Sequence, residues 1–382
     1  MAETKISSAA FEDTKPHYAI LDGLRGVAAL MVILYHVFEG FATSPIDQRF
    51  NHGYLAVDFF FILSGFVVGY AYDERWKTMK IKDFFKRRLI RLHPMIVMGI
   101  ILGVMTYLIQ GSEKWDGTPV PLSMVILAML ASLFLIPAAP GSGIEIRQNG
   151  EMYPLNGPLW SLFFEYIGNI LYALFLRRLS TKALTLFVAI SGIGLACFAI
   201  GNFSGYGHLG VGWSMLDYNL VGGFLRLLFA FSIGLLMSRN FKPVPIKGAF
   251  WICSLAIIGL LSVPHVGGSE ALWMNGIYDA VCTIIIFPIL VYLGASGKTS
   301  HKASSKVSKF LGDISYPLYV VHYPFMYLFY SWLWKNELTF SQTWHVALLV
   351  FFGNILLAYL CLKLYDEPVR KFLTKRFLPV KK

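Results

Sequence analysis

The sequence predicts an all-α integral membrane protein with about ten transmembrane helices plus one re-entrant or interfacial helix, and three observations carry that prediction. Hydrophobic residues make up 56% of the 382, charged residues only 14%, and mean hydropathy is +0.59. That composition belongs to chains dissolved in lipid. The apolar residues gather into eleven runs close to the length, about 20 residues, that covers a bilayer core. Lys and Arg crowd into alternate connections (Arg75–Arg91, Arg177–Lys182, Arg239–Lys247, Lys298–Lys309, Arg370–Lys382), while the others carry Asp47, Glu113, Asp116, Glu145, Glu151, Asp217, Glu270 and Glu337. This is the positive-inside pattern, and it accounts for the net charge of +11 without a nucleic-acid partner.

Taken in order, residues 1–17 are a polar cytoplasmic tail, and the first apolar run lacks a small-residue cleavage site, so it reads as a retained anchor. Runs at 24–41 and 54–70 lead to the basic connection 71–93 and the run 94–110. The next run, 121–138, is bracketed by Pro119, Pro121, Pro137 and Pro140. Runs at 158–177, 183–200, 220–238, 247–263, 276–294, 312–334 and 343–364 complete the set, leaving a core of 18–372 and a basic tail, 373–382. If all eleven crossed, the basic connections 71–93 and 177–182 would face opposite sides, because three runs separate them. The proline-flanked run 121–138 is the one expected not to cross. Ten crossings place both termini on the cytoplasmic side of an inner membrane. The Gly/Pro-rich connection 139–157 then lies outside, as a rim to a site or an ordinary loop. Cys197, Cys253, Cys282 and Cys361 lie far apart in apolar runs, without metal-ligand spacing, and read as packing residues. No metal site is expected.

Arg25 and His36 are the most informative pair. Eleven residues at about 100° each come within roughly 20° of three full turns, so both leave one face of a helix, about 16 Å apart. Counted from Leu24, His36 is expected about 18 Å deep, a little past the middle of the core. Asp58, Glu165, Arg226 and Asp279 fall within two turns of the outer ends of their runs, His322 near mid-depth, and Arg25, Arg87, Arg88, Arg91 and His93 at the inner face. A polar cavity open at both ends would satisfy all of them. Each has a plainer reading as well: snorkelling anchors for Arg25, Arg88 and Arg91, helix-N-terminal acids for Asp58 and Asp279, a core histidine for His322.

The segments LDGLRGVAALMVILYH, GYLAVDFFFILSGFVVGY, KDFFKRRLIRLHP, NGPLWSLFFEYIGNILY, LGDISYPLYVVHYPF and YDEPVRKF, in this order over residues 18–372, resemble the membrane-bound acyltransferase 3 family. The resemblance implies about ten crossings and transfer of an acyl group, commonly acetyl, from cytoplasmic acyl-CoA to a hydroxyl of a carbohydrate or lipid-linked carbohydrate. It makes His36 the catalytic histidine and Arg25 its partner, with Arg88 and Arg91 on the acyl-CoA. Glu165 matches a carboxylate that follows LWSL, although FFE departs from the usual SVE. Asp58, His322 and Trp160 are candidate substrate-binding residues. Some members add an extracytoplasmic hydrolase-like domain, so this chain is expected to finish the transfer alone or with a separate partner.

The chemistry agrees with that implication. An alcohol needs a base to attack a thioester, and a neutral imidazole can serve as base or as covalent acyl carrier, with Glu165 or Asp58 orienting the ring if one lies close. The CoA phosphates need cations, and arginine offers bidentate contacts. A proton-coupled transporter is the rival reading, with His36 and the outer carboxylates as a relay. It predicts internal symmetry and helices broken at mid-depth, which the sequence does not display.

Overall fold

The computed structural model describes residues 18–297 and 302–378; the expected tail 1–17 lies outside the described residues, as do 379–382. The described chain is helical: α1 Ala19–Glu39, α2 Ala56–Tyr72, α3 Ile81–Gln110, α4 Leu122–Leu133, α5 Leu159–Leu174, α6 Thr181–Ile200, α7 Asn219–Asn240, α8 Ala249–Ser262, α9 Leu272–Val281, α10 Phe287–Ser296, α11 Lys302–Lys335, α12 Phe340–Cys361 and α13 Glu367–Phe377. One π-helical turn, Cys282–Ile286, joins α9 to α10 and another, Leu362–Asp366, joins α12 to α13. Eight helical stretches are long and apolar enough to cross a membrane. The protein is an all-helical integral membrane protein.

Hydropathy located the apolar runs but clipped their ends. α3 begins at Ile81, so the arginines expected in a loop stand on a helix, and α11 begins at Lys302. The last helix continues through the π turn to Phe377, so 373–377 of the expected basic tail are helical. Lys, Arg and Leu are good helix formers whether or not they touch lipid. Side-chain caps mark other ends: Ser180 Oγ accepts the Ala183 N–H at 3.2 Å, and Thr339 with Gln342 forms a capping box.

Two close helix pairs frame the interior. On α2 and α7, a Cβ at Gly65 would meet the Phe231 carbonyl, and one at Gly234 the Ile62 carbonyl, so the backbones touch only because both positions lack side chains. α1 and α11 meet the same way, through Gly26 against Leu311 and Gly312 against Asp22. The connections sort onto two faces. On the basic face, Arg239 joins Asp73 (3.1 Å) to the Leu179 carbonyl (2.8 Å), and Ser308 Oγ donates to the Ala19 carbonyl. On the loop face, the Met152 N–H donates to Trp213, His52 Nδ1 to Val263, and Trp334 Nε1 to Gly40.

α4 has the form expected of a segment that enters and returns. Its 12 residues span about 18 Å, short of a ~30 Å core. It starts on the loop face, where the Val120 N–H bonds the Ser112 carbonyl, and descends until the Leu133 carbonyl meets His93. Residues 134–138 then climb back, the Ala138 N–H donating to Met152 and the Tyr153 hydroxyl to Leu135. Residues 139–157 are no loose loop, since Ile146, Arg147, Met152, Tyr153, Leu155 and Asn156 are all buried.

Proline shapes α11 where it matters. Pro324 removes the N–H that would bond the Val320 carbonyl, and the Asn156 side-chain amide fills the vacancy at 2.8 Å. The returning loop is thereby fastened to the middle of the site-forming helix.

Candidate active site

A cavity of about 530 Å³ opens between α1, α2, α3, α5, α11 and the π turn before α13. Cations on its wall are mostly matched by carboxylates. Arg25 donates from Nε to Ser315 Oγ (2.8 Å) and pairs with Asp22 (3.1 Å); Arg88 pairs with Glu165 (2.5 Å); Arg370 pairs with Asp366 (3.0 Å); Lys309 pairs with Asp313 (2.7 Å). Arg91 also lines the cavity, is exposed, and makes no ion pair among the described residues. The blind end is closed by Tyr319, whose hydroxyl lies 2.6 Å from Ser161 Oγ and whose ring meets Phe60 edge-on at 5.5 Å.

Beyond that closure lies His36. It shares α1 with Arg25, and both contact α11, as the eleven-residue spacing requires. Its depth differs from expectation: α1 starts at Ala19 and ends at Glu39, which places His36 in the last turn, nearer the loop face than the middle. His36 Nδ1 is 2.7 Å from Glu39 Oε2. A carboxylate oxygen in this contact accepts, so Nδ1 carries the proton and Nε2 is the basic nitrogen. The Tyr330 hydroxyl bonds both the His36 carbonyl (2.6 Å) and Glu39 Oε2 (2.9 Å), fixing the carboxylate. The ring of His36 stacks on His322 at 5.4 Å and meets Tyr323 edge-on at 4.7 Å.

The loop-face wall adds Arg147 and Glu151. Arg147 lies 3.5 Å over the Tyr327 ring and donates to the Pro154 carbonyl and to Gln110. The Tyr327 hydroxyl donates to Glu151. Burial pushes the Glu151 carboxyl up to about 7, against the opposing pull of Tyr327 and Arg147.

The structure thus gathers Arg25, Arg88, Arg91 and Glu165 in one cavity and His36 with His322 beyond its blind end. Several expectations are corrected. Glu165 does not orient His36: its Oε1 is taken by Arg88 and by the Ser64 hydroxyl (2.6 Å), so Glu39 holds that place. Asp58 is out of a substrate's reach, because Arg226 occupies both its oxygens (3.0 and 2.7 Å) and neither residue has exposed surface. That pair, with Arg226 also donating to Val211 and Tyr54, ties α2 to α7 and the 201–218 loop. Trp160 belongs to the same clamp, its ring 5.2 Å from the Arg226 guanidinium. Asp279 likewise is consumed by the Tyr54 hydroxyl and the Leu209 N–H. The cavity expected to run through to His36 stops short of it, since neither His36 nor His322 is part of its lining. There is a cavity on the basic face, a closure, and a histidine site near the loop face.

Several site residues escaped the sequence reading. Glu39 had a signal, the three-residue spacing that puts it beside His36 on a helix. Arg370 lay in the quoted segment YDEPVRKF without a role. Ser161, Ser315 and Tyr319 had none beyond their place in apolar runs.

The chain is 33% identical over 189 residues to "Protein 2 in picA locus" of Rhizobium radiobacter, covering 47% of this chain and 92% of that protein. It is 26% identical over 393 residues to the O-acetyltransferase OatA of Staphylococcus aureus, covering 95% of this chain but 59% of OatA, so it spans about three fifths of that relative. No solved structure matches. The Acyltransferase domain family, Acyl_transf_3, matches residues 18–363, nearly the whole described chain, and the protein belongs to that family.

Proposed function

We propose that this protein is an O-acyltransferase of the cell's inner membrane that takes an acyl group, commonly acetyl, from acyl-CoA on the cytoplasmic side. It places that group on a hydroxyl of a carbohydrate or lipid-linked carbohydrate near the outer face. The observation that carries the reading is the division of α1: Arg25 faces the cavity at one end, and the His36–Glu39 pair sits at the other. OatA, an O-acetyltransferase by name, supports oxygen as the atom acylated.

Acyl-CoA is the donor substrate here, and its phosphates suit Arg91 first, because that cation is not already committed, with Arg25 and Arg88 deeper. His36 Nε2 takes the proton of the acceptor hydroxyl as that oxygen attacks the acyl carbonyl. Glu39 stabilises the imidazolium that forms, and Tyr330 keeps Glu39 aligned. The basic face is the cytoplasmic one by its charge, so both ends of the chain lie there and 139–157 lies outside. Family membership favours acyl transfer over the transporter reading.

Sealed proteoliposomes test this directly, with acetyl-CoA on one side and a chitooligosaccharide on the other. Acetyl ester should form on the sugar only when acetyl-CoA faces the basic side. Ester formed solely when both substrates share one side would overturn transfer through the membrane. Loss of one ester mark from the surface glycans of a deletion strain, read by mass spectrometry, would identify the acceptor.

A further inference from the structure

His322 lies between the cavity and His36 and has no part in the scheme above. It stands one turn beyond Tyr319 on α11, its ring 6.0 Å from Tyr319 and stacked at 5.4 Å on His36. Its Nδ1 points at two backbone carbonyls, Leu318 (3.1 Å) and Tyr319 (2.8 Å). Carbonyls only accept, so Nδ1 bears the proton and Nε2 holds a lone pair. That Nε2 is buried, with no hydrogen-bond partner, in a residue with no exposed surface. A buried polar atom without a partner is unusual in a folded protein and calls for a reason. Core histidines meet their needs at both nitrogens, as His52 does through Val263 and Asn275.

Resting on the acyltransferase reading, we propose that His322 is a covalent acyl carrier and that His36 is the base of the second half-reaction. With Tyr319 swung away from Ser161, the thioester at the blind end of the cavity meets His322 Nε2. The nitrogen lone pair attacks the carbonyl carbon, the C–N bond forms, the C–S bond breaks, and CoA leaves as the thiolate, which takes a proton from cytoplasmic water. The product is an N-acylimidazolium whose Nδ1–H is held by the two carbonyls, acceptors well placed for a developing cation. In the second step the acceptor oxygen attacks that acyl carbon while its proton passes to His36 Nε2. The C–O bond forms, the C–N bond breaks, and neutral His322 returns. His36, paired with Glu39, later releases the proton at the loop face. Two stacked imidazoles with opposite tasks explain why the donor cavity need never open onto His36.

The test needs no acceptor. Full-length protein in lipid nanodiscs is given acetyl-CoA and isotopically labelled CoA, and label entering acetyl-CoA is followed. A carrier on His322 predicts exchange in the wild type, exchange within about threefold of it in His36→Ala, and a fall of about 100-fold or more in His322→Gln. Peptide mapping after a rapid quench of the wild type supplies a readout independent of how the variants fold, and the acetyl increment should fall on the peptide holding His322. Acetyl on His36, or exchange surviving in a folded His322→Gln variant, overturns the carrier. Acceptor acylation without CoA exchange also overturns it while leaving the acyltransferase reading intact. A wild type that neither binds nor consumes acetyl-CoA removes both.

Discussion

In the proposed scheme, a carboxylate 2.7 Å from Nδ1 is what turns the half-buried imidazole of His36 into a directed base. His36→Ala is expected to lower acyl transfer by about 10³-fold with normal membrane insertion, and Glu39→Gln by about 10–100-fold, since it leaves the ring but weakens its support. Transfer rates in vesicles check both, and a His36→Ala enzyme within about threefold of wild type would remove the assignment. The arginines separate by pairing. Arg91→Ala should raise KM for acyl-CoA about 10–100-fold, corresponding to one charge-assisted contact of about 1.5–3 kcal/mol, at unchanged stability. Arg88→Ala should also lower the melting temperature, because it strands Glu165 in a buried site with only hydroxyl and amide neighbours. Equal stability of the two variants would contradict this. Glu151 supplies a pH dependence. With its carboxyl held near 7 against an ordinary 4.5, only the unfolded chain ionises between those values, so stability falls as pH rises through that window. Glu151→Gln should flatten the slope of melting temperature against pH between 4.5 and 7, and an unaltered slope would show that another group sets it. His36 was legible in the sequence because a lone imidazole on an apolar helix has few explanations. Glu39 was not, because beside Gly40 it reads as a helix-end acid. Asp58 misled for a related reason: a carboxylate in a span has either a function or a partner, and the partner, Arg226, lay 168 positions away in the chain.

Among the elements, α11 supplies much of the proposed site and was read least completely. Its tyrosines, histidine and two prolines lower its hydropathy, yet 34 residues remain helical because tertiary contacts repair the breaks. Asn156→Leu should destabilise the protein by about 1–3 kcal/mol by leaving the Val320 carbonyl unpaired in the interior. It should also loosen residues 150–157, read as faster hydrogen exchange there. Unchanged exchange in that segment would show that the loop is held by other bonds. The shortness of α4 was legible from its flanking prolines, because chain-breaking residues bound a helix even where hydropathy does not. The π turns at Cys282–Ile286 and Leu362–Asp366 had no such signal, since one extra residue in a turn leaves the apolar pattern almost unaltered.

At the scale of the whole molecule, the proposed orientation makes a sharp prediction. With the native cysteines replaced, a single cysteine at Ser142 should react with a membrane-impermeant thiol reagent on intact cells, and one at Ser305 only after the cells are opened. The same labelling at both positions would refute the assignment of the two faces. The closure at Tyr319 bears on how the enzyme meets a charged membrane. Elsewhere the bilayer insulates across about 30 Å. Here polar groups reach Tyr319 from one side and His36 from the other, leaving two ring-to-ring steps of 6.0 and 5.4 Å through His322. A membrane voltage is then focused across those rings, as across a thin dielectric in a capacitor, and a full elementary charge moved through it works against about 2.3 kcal/mol per 100 mV. Catalysis in an energised cell should therefore run at a rate different from that in de-energised vesicles, with the substrates and the protein unchanged.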